Sequence, residues 1–481
     1  MSFPSNGNGS GRPPGDVAGA GDVHDFSGLN VHMVGVGGCG MYGAARMLLQ
    51  CGAVVSGSDR RFFDGVDALR RLGARIHVGH RAEHVDASVR LLVSSSAVPP
   101  DNPEILEARR RSIPIIAYAQ LLGRIMAARR GVSVAGTHGK STTTGLTVHV
   151  FRAAGLDPSF IVGARCDQLG GSSGVGGGPH FIVESCEYAR AFLNLRPHSA
   201  AILNIEADHL DCYRDLDEII AAFAAFANRV SGNGLLVVNH DDRAARKASR
   251  DTACRVEYCG FGPGADWRAV NLRAQRGRFV FRILYRGRAY AQASLQLAGR
   301  YNVANALAAV ALAHEAGAPA NLIVKALAEF RGVDRRMTHR GTGRGVTIVD
   351  DYAHHPTEIK ATLEAVRRRY APKRTWVVFQ PHQASRTRYL LDDFSTAFRD
   401  ADVVVLPDIY CVRDSEADRS AVASSGLAER IAKTGTRSLY IPSMHDVTDH
   451  LASHAREGDL VVVMGAGDVW KVADELVQRM C

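Results

Sequence analysis

Short runs of Val, Ile, Leu and Ala, each ending on glycine, serine or an acid, recur along this chain and alternate with longer stretches of helical spacing. They predict three α/β blocks. In the first, a strand over residues 31–36 runs into Gly35-x-Gly37-Gly38-x-Gly40-x-x-Gly43 and an Ala/Leu-rich helix. A strand at 53–55 ends at Ser56-Gly-Ser58-Asp59, and one at 91–93 ends at Ser94-Ser-Ser96-Ala97. That half is Rossmann-like. The second block has strands beginning near Gly131, at 181–183 and at 200–205, and closes with a helix over 301–316. The third has strands at 347–349, 375–379, 403–406 and 460–463 with helices between, a second doubly wound sheet. The expected organisation is a disordered tail (1–27), a Rossmann-like domain (28–128), a central P-loop-type α/β domain (129–339) and a Rossmann-like C-terminal domain (340–481). The glycine-rich stretch 170–178 reads as a mobile loop.

The most specific chemistry lies in Val132-Ser-Val-Ala-Gly-Thr-His-Gly-Lys-Ser-Thr-Thr-Thr144. Strand, glycine turn and helix follow in the order a phosphate-binding loop needs. Backbone N–H groups at a helix N-terminus face an anion, and Lys140 adds a point charge. The Ser141 hydroxyl is placed to ligate Mg²⁺. Val134 stands where the longer form of the motif has its first glycine, which leaves Gly136-x-x-Gly139-Lys140-Ser141.

The glycine signature of the first block also follows a strand and precedes a helix, with Asp59 ending the second strand. It suits a dinucleotide or another nucleotide diphosphate. In the second block, Glu184 follows one strand, while Asp208 and His209 follow another. Parallel strands put these ends on one edge, so Lys140, Ser141, Glu184 and His209 are expected to converge there around Mg²⁺ and phosphates.

Composition is that of an ordinary soluble globular protein, and the length suggests about three domains. The net charge of +9 is carried by scattered basic residues without an aromatic-interleaved stripe, so it suits small anionic substrates rather than nucleic acid. Nine dispersed cysteines without a C-x-x-C pair fit reduced thiols in a cytoplasm. The N-terminal segment lacks the apolar core of a signal peptide. The longest apolar helical stretch, 219–227, is too short to span a bilayer.

Five strings in order resemble the Mur ligase family. They are Gly136-Thr-His-Gly-Lys-Ser-Thr-Thr-Thr144, Asn204-Ile-Glu-Ala-Asp-His-Leu-Asp211, Asp350-Asp-Tyr-Ala-His-His-Pro-Thr-Glu358, Phe379-Gln-Pro-His382 with Ser385-Arg-Thr-Arg388, and Gly465-Ala-Gly-Asp468. The resemblance implies a UDP-binding N-terminal domain, a central ATPase domain and a C-terminal domain that brings the amino acid. The turn with Gly35, Gly37, Gly38 and Gly40 would then hold a UDP diphosphate, completed by Asp59, Ser95 and Ser96. Gly136, Thr137, His138, Gly139, Lys140, Ser141 and Thr142 would cradle ATP phosphates, with Lys140 on the β/γ-phosphates. Ser141, Glu184 and His209 would hold Mg²⁺. Asn302 and Asn305, one turn apart on a helix, would line the adenine, and Asp351 would reach the ribose. Arg336, with Arg335 as competitor, would meet the phosphates. His354, His355 and Arg386 would shape the amino-acid side, with Arg388 the other candidate for the carboxylate.

The implied reaction is carboxylate activation in cytoplasmic peptidoglycan precursor synthesis, where ATP phosphorylates the lactyl carboxylate of UDP-N-acetylmuramic acid and L-alanine attacks the acyl phosphate. His209 and His355 have the intrinsic pKa range of a general base; neither is singled out. Three departures stand out. Glu184-Ser-Cys-Glu-Tyr-Ala189 replaces a more acid-rich segment, and Gln383-Ala384 replaces a more basic pair. Segment 208–229 has no lysine for carbamylation, as expected of the alanine-adding branch. Two alternatives stay open: a tripeptide-recycling ligase acting on the same UDP-sugar, and a nucleotide-binding regulatory protein without catalysis. Oligomeric state is not legible in the sequence.

Overall fold

The computed structural model describes residues 26–480, apart from Asp64, Arg276, Arg413 and the side chain of Cys39. The tail expected over residues 1–27 lies almost wholly outside the described residues. Phe26 does not belong to it, because its ring is buried in the first core beside Met47 and Leu48.

Three sheets follow one another along the chain. The first has five parallel strands in the order Arg75–Val78, Val54–Asp59, Asn30–Val34, Leu91–Ser94, Ile115–Ala117. Chain order reverses beside Asn30–Val34, so a crevice opens at the C-terminal ends of that strand and Leu91–Ser94. The helix Cys39–Gln50 starts there.

The second sheet has ten strands. Its centre is Arg130–Ala135, flanked in parallel by His180–Glu184 on one side and Ser199–Ile202 on the other. These strands are buried at nearly every position because helices cover both faces. The sheet continues through Leu235–Asn239 and Arg255–Gly260 into the antiparallel strands Trp267–Gln275, Arg278–Tyr285 and Arg288–Leu295. The buried helices Lys140–Ala153 and Arg300–Glu315 pack against each other over this sheet. Gly145 lets the first of them approach the segment before Arg336, since a Cβ there would lie 2.8 Å from Val333 Cγ1.

The far edge of this sheet corrects an expectation. Residues 170–178 are not a free loop: Gly171–Gly174 is a strand, antiparallel to Ser159–Cys166. Arg46 of the first unit donates to the Ser173 carbonyl at 3.1 Å, and Gly43 packs on the Ser173 side chain. The missing side chains give close packing between the two sheets rather than mobility.

The third sheet has six strands, in the order Thr338–Gly343, Val346–Asp351, Asp459–Met464, Arg374–Phe379, Val403–Leu406, Arg437–Tyr440, and only the first is antiparallel. The helix Pro356–Tyr370 starts from the turn after Asp351, with proline in its first turn and His355 as its cap. No helix among the described residues is long and apolar enough to cross a membrane.

Candidate active site

The central strand sets the site. The chain leaves Ala135 into a turn whose Gly139 has φ of +83°, a left-handed conformation that glycine adopts without strain. A Cβ on Gly139 would lie 2.8 Å from Asn305 Oδ1, so the turn also packs directly on the helix that carries Asn302 and Asn305. Asn204, from the neighbouring strand's exit, clamps the loop twice: its Oδ1 accepts from His138 N at 2.7 Å and its Nδ2 donates to His138 O at 3.0 Å. Glu206 N donates to Thr137 Oγ1 at 2.9 Å. The glycine loop is thus held in shape by tertiary contacts.

Lys140 and His209 meet on one carboxylate, Glu187. Lys140 Nζ donates to Gly136 O (2.6 Å), Thr137 O (3.1 Å) and Glu187 Oε1 (3.0 Å). His209 Nε2 lies 3.2 Å from the same Glu187 oxygen. Burial works against the charges of both Lys140 and Glu187, yet each holds the other ionised, raising the amine's pKa and lowering the carboxyl's. Tyr213 Oη fixes the segment by donating to Glu187 O at 2.5 Å. Glu184 stands farther out and accepts from Gly163 N at 2.7 Å. Glu187 is therefore a site residue that the strand-end argument missed. It lies three residues beyond the strand end, just before the short helical segment Tyr188–Asn194.

Across a seam, the third unit faces this edge. Asn302 Nδ2 donates to Ala298 O at 2.6 Å, and Asn305 Nδ2 donates to Asn302 Oδ1 at 3.2 Å. Together with Thr142, Arg336 and Asp351 they line a cavity of about 190 Å³, and a neighbouring cavity of about 710 Å³ shares Tyr301 and Asn305 with it. Asp351 accepts from Met337 N and Ala353 N at 2.7 and 2.8 Å, and burial pushes its carboxyl up to about 6. The two arginines separate. Arg336 faces the cavity, 3.6 Å from Glu358 and over the Tyr352 ring. Arg335 donates to Gly465 O at 2.6 Å and sits 3.4 Å from Asp350, tied to its own sheet.

Arg386 and Arg388 separate too. Arg386 reaches the seam, with Nε and Nη2 both 2.9 Å from Asp208 Oδ1 and Nη1 3.2 Å from His382 O. Arg388 turns outward to Asp418. His354 and His355 point apart, as adjacent residues before proline must. His354 Nδ1 is 3.3 Å from Glu358, and burial lowers its pKa to about 3. His355 packs on the His138 ring.

In the first unit, Gly37 N donates to Asp59 Oδ2 at 2.8 Å, so the predicted acid braces the glycine turn. The Ser95 side chain packs under Gly35, while Ser96 is exposed. Gly38 caps the helix and Gly40 abuts the Tyr118 ring. Behind Asp59 lies a cluster that no motif signalled. Buried Glu104 accepts from Ser58 Oγ at 2.5 Å and from Arg81 N at 3.2 Å, and lies 2.9 Å from His84 Nδ1. Burial opposes its charge, but the His32 and Ser58 hydrogen bonds outweigh it and hold the carboxyl near about 2.

Sequence comparison matches all three units in order: the Mur ligase family catalytic domain at residues 30–130, the Mur ligase middle domain at 134–313 and the Mur ligase glutamate ligase domain at 335–467. The UDP-N-acetylmuramate–L-alanine ligase of Trichlorobacter lovleyi is 40% identical over 452 residues, 94% of this chain and 98% of that protein. The chain belongs to the Mur ligase family. The protein of the same description from Geobacter sulfurreducens is 40% identical over 94% of this Mur ligase and 97% of its own length. The crystal structure of UDP-N-acetylmuramate-alanine ligase from Thermotoga maritima superposes with a TM-score of 0.79 at 26% identity, covering 94% of this chain and 99% of that one. A murein peptide ligase from Psychrobacter arcticus shares the fold of this Mur ligase, with a TM-score of 0.70 at 23% identity over 94% and 99% of the two chains.

Proposed function

We propose that this Mur ligase joins L-alanine to the lactyl carboxylate of UDP-N-acetylmuramic acid at the expense of ATP, in the cytoplasmic assembly of peptidoglycan precursors for the cell wall. The observation that carries it is Lys140 with Glu187 and His209 on the central sheet edge, facing Arg336, Asp351 and Arg386 across the seam. The names of the curated relatives, at about 40% identity over nearly their whole length, supply the two substrates. The domains divide near residues 128 and 339.

The phosphate loop binds the ATP β/γ-phosphates through its N–H groups and Lys140, with Asn302 and Asn305 on the adenine and Asp351 on the ribose. A carboxylate oxygen of the sugar acid attacks the γ-phosphorus, the bond to the ADP oxygen breaks, and an acyl phosphate forms. The alanine amine, having lost a proton, adds to the acyl carbon, and phosphate leaves. Lys140 and Arg336 stabilise charge spread over the transferring group. Arg386 turns from Asp208 to the alanine carboxylate, which offers the same charge and geometry.

The donor set fits Mg²⁺. Ser141, Glu184 and Glu187 supply oxygens, and His209 Nδ1 is buried without a hydrogen-bond partner among the described residues. Mg²⁺ bound there would neutralise phosphate charge.

Phosphate release from Mg²⁺-ATP, measured with UDP-N-acetylmuramic acid and with or without L-alanine, tests the reading. Release that needs both and vanishes in Lys140→Ala is expected. Turnover with an alanyl-glutamyl-diaminopimelate tripeptide but not with L-alanine would move the function to the recycling reaction. ATP binding without turnover on either would leave a non-catalytic nucleotide-binding protein.

A further inference from the structure

One cluster in the seam, on the rim of the proposed nucleotide site, has a geometry that this reaction does not call for. His138 Nε2 lies 3.4 Å from Glu206 Oε2, and His355 Nδ1 lies 3.6 Å from the same oxygen. All three ligand atoms fall within 4.8 Å of one another. We propose that His138, Glu206 and His355 form a binding site for a borderline divalent cation such as Zn²⁺, separate from Mg²⁺ at the phosphate loop, which clamps the second and third units together.

Two imidazoles and one carboxylate are the donors of three-ligand zinc sites, whereas Mg²⁺ favours a shell dominated by oxygen, as at the set with Ser141, Glu184 and Glu187. The surroundings prepare these donors. Metal-binding histidines commonly give their second ring nitrogen to a carboxylate or a carbonyl. Here Glu358 Oε1 is 3.1 Å from His138 Nδ1, and Ala207 O is 3.4 Å from His355 Nε2. Those contacts leave His138 Nε2 and His355 Nδ1 facing Glu206. Thr357 Oγ1 donates to Glu206 Oε2 at 2.6 Å and fixes its carboxylate. The ion would replace the His138–Glu206 hydrogen bond (3.4 Å) and displace the long one from Thr357 N to His355 Nδ1 (3.3 Å), by which His355 caps its helix.

The backbone is equally prepared. His138 is clamped by Asn204, and Glu206 N is bound to Thr137. His355 caps the first helix of the opposite unit. Drawing the three donors onto one ion needs a closing shift of less than an ångström or so at typical metal–ligand lengths of roughly 2.0–2.2 Å. His138 and Glu206 line the 190 Å³ cavity, so a fourth coordination position opens toward the nucleotide side. Because its ligands come from both walls of the cleft, the ion holds the cleft shut and inhibits turnover. Binding releases any proton on the ring nitrogens that become ligands.

The test uses the full chain without nucleotide, titrated with Co²⁺ in slightly alkaline buffer. The expected result is a visible absorption band of a low-coordinate cobalt centre that saturates at a single ion per chain and is displaced by Zn²⁺. Affinity should fall at least roughly tenfold in Glu206→Gln and in His355→Ala, while Ser141→Ala keeps it. Equal affinity in all variants, or loss in Ser141→Ala, would overturn the site. X-ray absorption on the zinc-loaded wild type requires no variant to fold: two imidazole donors support the site, and an oxygen-only shell overturns it.

Discussion

Arg386 and Asp208 form a buried ion pair across the cleft, with two guanidinium nitrogens 2.9 Å from one carboxylate oxygen. The two charges hold the C-terminal unit against the loop that carries His209. The Arg386 charge also holds the Asp208 carboxyl well below the usual carboxylate range, against the effect of its burial.

Replacing Arg386 by Ala strands Asp208 as a buried charge, so we expect a loss of about 3–5 kcal/mol of seam stability. The KM for L-alanine should rise more than the KM for ATP. Arg388→Ala breaks only an exposed pair and should cost no more than about 1 kcal/mol. Steady-state kinetics and urea midpoints for both variants check this. Equal effects of the two substitutions would refute the assignment of Arg386.

Lys140→Ala and Glu187→Gln separate charge balance from catalysis. Removing Lys140 leaves Glu187 buried and unpaired, so stability falls along with activity. Adding Glu187→Gln to Lys140→Ala should restore most of the thermal midpoint without restoring turnover, which stays down by a factor of order 10²–10³. Recovery of turnover in the double variant would remove Lys140 from phosphoryl transfer.

These residues also mark how far the sequence could be read. Short apolar runs ending on Gly or an acid predict parallel strands whose ends share one edge, and the strands that precede Gly136 and His209 and the one that ends on Glu184 are parallel neighbours; their order in the sheet is not legible in the sequence. Glu187 is visible in the sequence as an acid of the Glu184–Ala189 segment, but its role is not, because it lies three residues past the strand end and its contact with Lys140 is tertiary. The antiparallel strands between Trp267 and Leu295 were also missed. Their arginines and polar residues, on the partly exposed edge of the sheet, dilute the apolar alternation that signals a strand. The choice between Arg335 and Arg336 could not be made from sequence, since neighbours on one loop differ only in which wall they face. Glu104 illustrates the same limit: a glutamate on an amphipathic helix reads as solvated until the fold puts three histidines and a serine around it.

Asp351 predicts an unusual pH response. Burial raises its carboxyl to about 6, above the ordinary value near 3.8. Between those values the native state binds a proton that the unfolded chain does not, so this group's contribution to stability rises as pH falls through that window. Asp208 and Glu358 have the opposite sign, being held low, and weaken the fold only at more acidic pH. Comparing the unfolding free energies of Asp351→Asn and wild type at pH 7 and pH 5, the stability difference should shift in favour of wild type at the lower pH, by about 1 kcal/mol. A difference independent of pH would show that Asp351 is not protonated in that range.

The two carboxylates near Lys140 give the last test. Glu187 is buried and touches both Lys140 and His209, whereas Glu184 is partly exposed, 2.7 Å from Gly163 N. If Mg²⁺ is held chiefly by Ser141, Glu187 and His209, Glu187→Gln should raise the Mg²⁺ concentration needed for half-maximal turnover by more than tenfold, of the order expected for a lost ligand contact. Glu184→Gln should then change it only a few-fold, since Gly163 N can donate equally to an amide oxygen. If Glu184 is instead the principal ligand, it must leave Gly163 when ATP enters, and the order of the two effects reverses. Mn²⁺ electron paramagnetic resonance on the same variants, with a non-hydrolysable ATP analogue, reads the metal directly. Retention of the wild-type Mn²⁺ signal in Glu187→Gln, alongside its loss in Glu184→Gln, would assign Glu187 to pairing with Lys140 alone.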